Sequence, residues 1–329
     1  MLAEDLRMRL DFGKSVHINR AKLEQLIHFV KGNGNFSKYK PYDWSDYNYW
    51  IPNEEGEKAV SQFFAVGNAV NFRYWDMINN EFAYCAGQKD NLQASGSKYM
   101  WRCLKSAYDS DPSLFDAKTL SSLEIDHIKK IFEDDHGNNP MPHLEERLRN
   151  WRDLGSKLYE YWDGQFYDLV KESHSLYKFV QLSRQFRAFD DPLCKLTMVN
   201  TFFHKGRGIG FLGEGALPGI DYQLMKEVLR MGLIVPVEKV AEKIERGMLL
   251  EKEEARELRN ACMRVFLEIM EETKVSGEIL DNTWWFNSKV CADQAPVCQD
   301  PVHAEKCVFL NVCDENIRYK IPLEQTRYY

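Results

Sequence analysis

Apolar residues along most of this chain recur every three or four positions, the period of a helix with one face against a core. Arg20–Lys31 is such a stretch, with Leu23, Leu26, Ile27 and Val30 on one face. In Met141–Trp162, Pro142 suits a first helical turn, Glu145 and Glu146 follow, and Leu144, Leu148 and Trp151 share a side. The clearest helix is Glu251–Lys274, acidic at its start and striped with Ala255, Leu258, Cys262, Val265, Phe266 and Met270. Pro236–Gly247 reads as a shorter helix closed by glycine. Strand patterns are few. Ala69–Trp75 and Glu81–Ala86 are short and aromatic, and Asp76–Asn80 between them predicts a small hairpin. On such a strand Asn71, Arg73 and Trp75 face one way, Phe72 and Tyr74 the other. No regular strand–helix alternation is present, so a parallel α/β sheet is not expected. The fold class is mainly α with a small antiparallel β element. Gly32–Tyr49 and Asp293–Ala304 read as loops, and no repeat or low-complexity linker divides the chain. A single domain over residues 1–329, in one lobe or two, is expected.

One turn stands out. Leu217-Pro218-Gly219-Ile220 leads into Asp221-Tyr222 and an amphipathic run, Gln223–Leu233, with Leu224, Val228 and Leu229 at helical spacing. Asp221 falls at a helix N-terminus, where spare backbone N–H groups and the helix dipole favour a carboxylate. That makes it an N-cap, and also a candidate catalytic acid held rigidly beside a pocket. Asp281, in Leu280-Asp281-Asn282-Thr283-Trp284-Trp285-Phe286, again precedes an apolar run, and the N-cap reading applies again.

Composition narrows the partners. Eight Trp, sixteen Tyr and nineteen Phe supply more rings than an ordinary core demands, which suits a site that sandwiches a flat ligand. The net charge is −7, from 43 basic and 50 acidic residues, and no long basic run is present. Stable duplex binding needs many phosphates neutralised, so it is not expected. No apolar run approaches the roughly 18 residues that cross a bilayer. Met1–Arg9 alternates charges and has no signal-peptide core, which makes the cytoplasm the expected location. Oligomeric state is not readable.

Two further patterns carry little on their own. Gly208-Ile209-Gly210-Phe211-Leu212-Gly213 matches the dinucleotide fingerprint, but Gly215, Pro218 and Gly219 follow where a helix must open, so a flexible loop is the better reading. Lys205 and Arg207 on that loop are within reach of a phosphate. Of eight cysteines, Cys85, Cys103, Cys194 and Cys262 sit among apolar neighbours as small hydrophobes. Cys291, Cys298, Cys307 and Cys313 share a region, 286–316, at spacings of six, eight and five residues. Four thiolates suit zinc or an iron–sulfur cluster, yet no C-x-x-C pair is present. Free thiols are the reading adopted, with no metal and no cofactor expected. Asn71, amid apolar residues, needs partners or a ligand for its amide.

Together these segments resemble the queuosine salvage proteins, the queuosine 5′-phosphate N-glycosylase/hydrolase family. The resemblance runs from about Val16 to Tyr329. It rests on Ala69-Val-Asn71-Phe72-Arg-Tyr-Trp75, Tyr99-Met-Trp101, Met141-Pro142-His-Leu-Glu145-Glu146-Arg147, Asp221-Tyr222-Gln-Leu, Leu280-Asp281 through Trp285, and Arg327-Tyr328-Tyr329. Met225 stands where the family commonly has a proline, and the stretch from Lys195 to Asp221 is short for the family. The resemblance implies a mainly helical fold similar to helix–hairpin–helix DNA glycosylases, whose hairpin Leu217–Ile220 looks like. It also implies hydrolysis of the N-glycosidic bond of queuosine 5′-phosphate, or of a close 7-deazaguanine nucleotide or nucleoside. Asp221 is then catalytic, and Asn71, Phe72, Trp75, Trp101, Lys195, Tyr222, Asp281 and Trp285 bind substrate. The alternatives are a base-excision DNA glycosylase and a non-catalytic module that binds a modified nucleotide.

Overall fold

The helical period of the sequence becomes fourteen α-helices and six short strands among the residues that the computed structural model describes, 2–32, 42–79, 81–210 and 212–328. The helices are α1 (Leu2–Arg9), α2 (Arg20–Gly32), α3 (Glu57–Ala69), α4 (Gly96–Ser110), α5 (Ala117–Ser122), α6 (Ile125–Ile131), α7 (Leu144–Tyr161), α8 (Phe166–Glu172), α9 (Leu176–Ser183), α10 (Lys195–Gly206), α11 (Tyr222–Arg230), α12 (Glu238–Arg246), α13 (Lys252–Thr273) and α14 (Gly277–Asn287). The strands are β1 (Val16–Ile18), β2 (Trp75–Ile78), β3 (Glu81–Tyr84), β4 (Ala86–Lys89), β5 (Leu92–Ser95) and β6 (Ile234–Pro236), paired antiparallel as β1–β6, β2–β3 and β4–β5. The expected class, mainly α with small antiparallel elements, is what the structure shows. No helix among the described residues is long and apolar enough to cross a membrane.

The chain divides into two compact units: residues 1–41 with 215–325, and residues 42–214 with 326–329. In the first, α13 carries the apolar stripe read from the sequence and buries Leu258, Cys262, Val265 and Phe266. Its Glu257 carboxylate gathers the backbone N–H groups of Gly13, Lys14 and Ser15 at 3.2, 2.9 and 2.7 Å. That bond set ties the chain's beginning to its C-terminal third. In the second unit, α3 is buried at every position from Val60 to Ala69, including the polar Ser61, Gln62 and Asn68, so it is surrounded by protein rather than laid on the surface. Gly67 is required there: a Cβ at that position would overlap the Trp101 ring.

Several expectations are corrected. Ala69–Trp75 is not a strand. Helix α3 runs to Ala69, residues 70–74 have no regular structure, and Arg73 takes a positive φ of 38° that no extended run allows. The expected alternation of faces therefore fails, and the hairpin begins only at Trp75, with Trp75 opposite Tyr84. A second hairpin, β4–β5, carries positive φ at both tip residues, Asp90 and Asn91, the geometry of a primed turn. Helix α7 starts at Leu144, leaving Pro142 outside it, and α12 starts at Glu238, since Pro236 closes a strand. Asp281 is not an N-cap. Ser276 caps α14, accepting from the Ile279 N–H at 3.3 Å, and Asp281 lies one turn inside. No helix opens after the glycine-rich stretch, where Gly208, Gly210 and Gly213 all take positive φ. Residues 33–41 of the expected Gly32–Tyr49 loop, Asn80 in the expected turn, Phe211 of the glycine motif and Tyr329 of the C-terminal motif lie outside the described residues.

Candidate active site

Helix α11 begins as the sequence implies. Asp221 takes extended backbone angles, and its Oδ1 accepts from the N–H groups of Gln223 at 2.8 Å and Leu224 at 3.0 Å. The cap uses Oδ1 alone, and the carboxylate is half-buried. What the sequence did not reveal is how firmly the preceding turn is held. The Gly219 N–H donates to Asp281 Oδ2 at 2.6 Å, and the buried Arg259 Nε donates to the Ile220 carbonyl at 3.2 Å. Gly277 closes the arrangement, because a Cβ there would overlap the Ala216 carbonyl and crowd Leu217 and Pro218. Gly277 and Asp281 are four residues apart, so one face of α14 supplies both the close approach and the carboxylate. A charge-assisted bond, a guanidinium and a steric contact thus fix the backbone on which Asp221 sits.

Elsewhere on α11, burial pushes the Glu227 carboxyl up to about 8. Tyr222, the first residue of α11, is buried. Trp285 is half-buried, with Lys289 Nζ 4.2 Å above its ring.

The other unit holds its own rigid segment. Carbonyls at the end of α3 and just beyond have no helical partner. One face of α7 meets them. Trp151 Nε1 donates to Val66 O and Asn150 Nδ2 to Ala69 O, each at 2.9 Å. The fully buried Arg147 guanidinium donates to Val70 O, to Phe72 O at 2.7 Å and to Arg73 O at 3.1 Å, with its plane 4.4 Å from the Phe72 ring. Lys195 Nζ takes the remaining carbonyl, Asn71 O, at 2.9 Å. His143 Nε2 lies 3.1 Å from Trp75 O, and burial lowers the pKa of that imidazole.

Asn71, Phe72 and Lys195 are therefore neighbours. The Asn71 amide has found protein partners: its Nδ2 donates to Asn68 Oδ1 at 3.1 Å, and its Oδ1 accepts from Tyr74 OH at 2.7 Å. Trp75 is 1% exposed, and its Nε1 has no partner among the described residues. Trp101 sits apart from this segment in an aromatic cluster, stacked 5.0 Å from Phe203 and tilted against Phe63 and Trp50. Arg147 and Arg259 are the residues that sequence reading missed. Each left a signal, a cation on an apolar stripe: Arg147 four residues before Trp151, and Arg259 three before Cys262 and seven before Phe266.

A model of the queuosine salvage protein family matches residues 50–207, a little under half of the chain. A queuosine 5′-phosphate N-glycosylase/hydrolase of Sphaerobacter thermophilus is 29% identical over 130 residues, 40% of this chain and 37% of that protein. The protein of the same name from Mus musculus is 22% identical over 299 residues, 81% of this chain and 86% of its own length. The one from Dictyostelium discoideum is 24% identical, with 49% and 46% covered. The chain thus spans well under half of the bacterial relative and most of the mouse one. Among solved structures, the 8-oxoguanine DNA glycosylase from Pyrobaculum aerophilum is similar at 13% identity and a TM-score of 0.47, over 83% of this chain and 90% of that one. The class is a mainly helical protein whose curated relatives are N-glycosylase/hydrolases. The particular family to which this chain is similar is the queuosine salvage proteins.

Proposed function

We propose that this protein hydrolyses the N-glycosidic bond of queuosine 5′-phosphate, or of a close 7-deazaguanine nucleotide, releasing queuine and ribose 5-phosphate. The relatives' shared activity supports the reaction, and the pinned turn before Asp221 supports the choice of acid. Asp221 stabilises the oxocarbenium-like transition state and takes a proton from the attacking water, whose oxygen bonds to the anomeric carbon as the C–N bond breaks. The departing base needs a proton in return. In a 7-deazapurine the N7 position is carbon, so that proton goes elsewhere on the ring.

Asp281 is the proposed contact to the base's polar edge, and Lys195 to the phosphate. Phe72, Trp75, Trp101, Tyr222 and Trp285 are the proposed aromatic contacts, and Asn71 a polar one. The unpartnered Trp75 Nε1 supports a ligand acceptor there.

Asp221→Asn keeps an oxygen to cap α11 but removes the charge. We expect a folded variant, by circular dichroism, whose queuine release from the nucleotide falls at least about a hundredfold. Near-normal release, followed by chromatography of the free base, would sink the assignment. A module that only binds the nucleotide gives a complex and no product in the same assay with the unaltered chain.

A further inference from the structure

The C-terminal cysteines form no compact spacing motif, and in the structure they share a cavity. Cys291, Cys298, Cys307 and Cys313 all line one cavity, with about 370 Å³ of empty space between its walls including the mouth open to solvent. Two short 3₁₀ turns, Val297–Gln299 and Ala304–Lys306, fold the chain back so that Cys298 and Cys307, with eight residues between them, reach the same hollow. The wall across from them belongs to α11 and α14, through Glu227, Arg230 and Asn287.

One observation besides the cysteines points to an anionic occupant. Lys226 and Arg230 are 3% and 1% exposed, and among the described residues they share a single carboxylate, Asp293, at 3.5 and 3.2 Å. Arg230 also lines the cavity, so it sets a buried positive charge against whatever fills the hollow. Glu227 is also buried. Its Oε2 accepts from Asn287 at 2.9 Å, and its Oε1, on the cavity wall, has no partner among the described residues. Two of the sulfurs already lie within hydrogen-bonding distance of donors, and Cys313 Sγ itself donates to the Arg230 carbonyl at 3.6 Å. Arg230 Nη1 lies 3.3 Å from Cys291 Sγ, and the Glu315 N–H donates to Cys313 Sγ at 3.3 Å. Hydrogen bonds of this kind stabilise thiolate sulfur on a metal.

We propose that these four cysteines ligate a [4Fe–4S] cluster. A single ion fits less well, because no three His, Cys, Asp or Glu side chains among the described residues converge closely enough to hold one. A cubane takes one thiolate at each of four separated irons, so its ligands stand around a hollow rather than at a point. Four thiolates and the cluster core carry net negative charge, which Arg230 and Lys226 balance. The cluster's role here is structural: it cross-links the segment after α14 to the C-terminal loop and the end of α11. No redox step is involved, and the proposal stands independently of the reaction assigned to Asp221.

The test is metal and acid-labile sulfide analysis of the whole chain, purified without oxygen and incubated with ferrous iron and sulfide. We expect about four iron and four sulfide per chain, with a broad visible absorption band that dithionite bleaches. Cys298→Ser and Cys313→Ser should each lower bound iron and sulfide severalfold; full retention in both would overturn the ligand assignment. Should a variant fail to fold, the unaltered chain still decides. A folded, iron-free chain whose four thiols all react with iodoacetamide would overturn the proposal, and so would stoichiometric zinc without sulfide.

Discussion

The two units each immobilise a short stretch of irregular backbone, and they do so with opposite chemistry. Residues 70–73 follow a helix C-terminus, where carbonyls are in surplus, and the groups that meet them are donors: Arg147, Asn150 and Lys195. The turn 217–220 precedes a helix N-terminus, where N–H groups are in surplus, and there carboxylates meet them, Asp281 on the turn and Asp221 on the cap, while Arg259 holds the one carbonyl of Ile220. Both follow from the end charges of a helix and its unmatched backbone groups. The comparison teaches where each kind of side chain becomes available for chemistry. At the α11 N-terminus the Asp221 carboxylate is anchored by the N–H groups of Gln223 and Leu224, whereas the side chains that hold segment 70–73 are spent on its carbonyls.

The sharpest way to break this comparison is to remove the donors. Arg147→Met strips the pins from the carbonyls of Val70, Phe72 and Arg73 and leaves them buried. Urea unfolding should show a loss of roughly 3–5 kcal/mol. Arg147→Lys should rescue little of it, because a point charge does not span three acceptors.

A second test concerns acid. His204 is fully buried and its pKa is lowered to about 4, chiefly by burial. Its Nδ1 bonds the Asn200 carbonyl and its Nε2 the Ser61 hydroxyl, each at 2.8 Å. The unfolded chain binds the proton more readily, so this stability is complete above pH 6.5 and is lost as pH falls towards 4. About 3 kcal/mol should go in that window. In His204→Gln the same calorimetric series should lose less across it. An identical slope in both proteins would refute the assignment.

The smallest effect probes the other turn. Gly277→Ala should cost roughly 1–3 kcal/mol through overpacking against Ala216. In the queuine-release assay it should also lower turnover, since the turn carries Asp221. A stability loss with unchanged turnover would separate the turn's position from the reaction.

Much of this was legible in the sequence. The α13 stripe and the Asp221 cap are local patterns, decided within one or two turns of helix, and they appear where the periodicity placed them. Ala69–Trp75 was not legible, because its aromatic residues suit a strand while its carbonyls are satisfied by α7, more than seventy residues away. Asp281 failed for the same reason. Its partner is the Gly219 N–H, sixty-two residues earlier, so a cap-like setting concealed a tertiary bond. The cysteines lacked a compact spacing motif, and only the 3₁₀ turns bring them to one cavity.

Helix α11 is nine residues long, roughly 13 Å. Asp221 caps one end. At the other, Arg230 donates to the carbonyls of Tyr319, Cys291 and Ala292. A shortened chain ending after Ser288 would therefore retain every residue assigned a catalytic or binding role and still be a different protein. The helix that Asp221 caps would have lost its far mooring, and Arg230 would be without the carbonyls of Tyr319, Cys291 and Ala292. The smallest working form of this molecule is set by what anchors that helix, not by an inventory of the side chains that touch substrate.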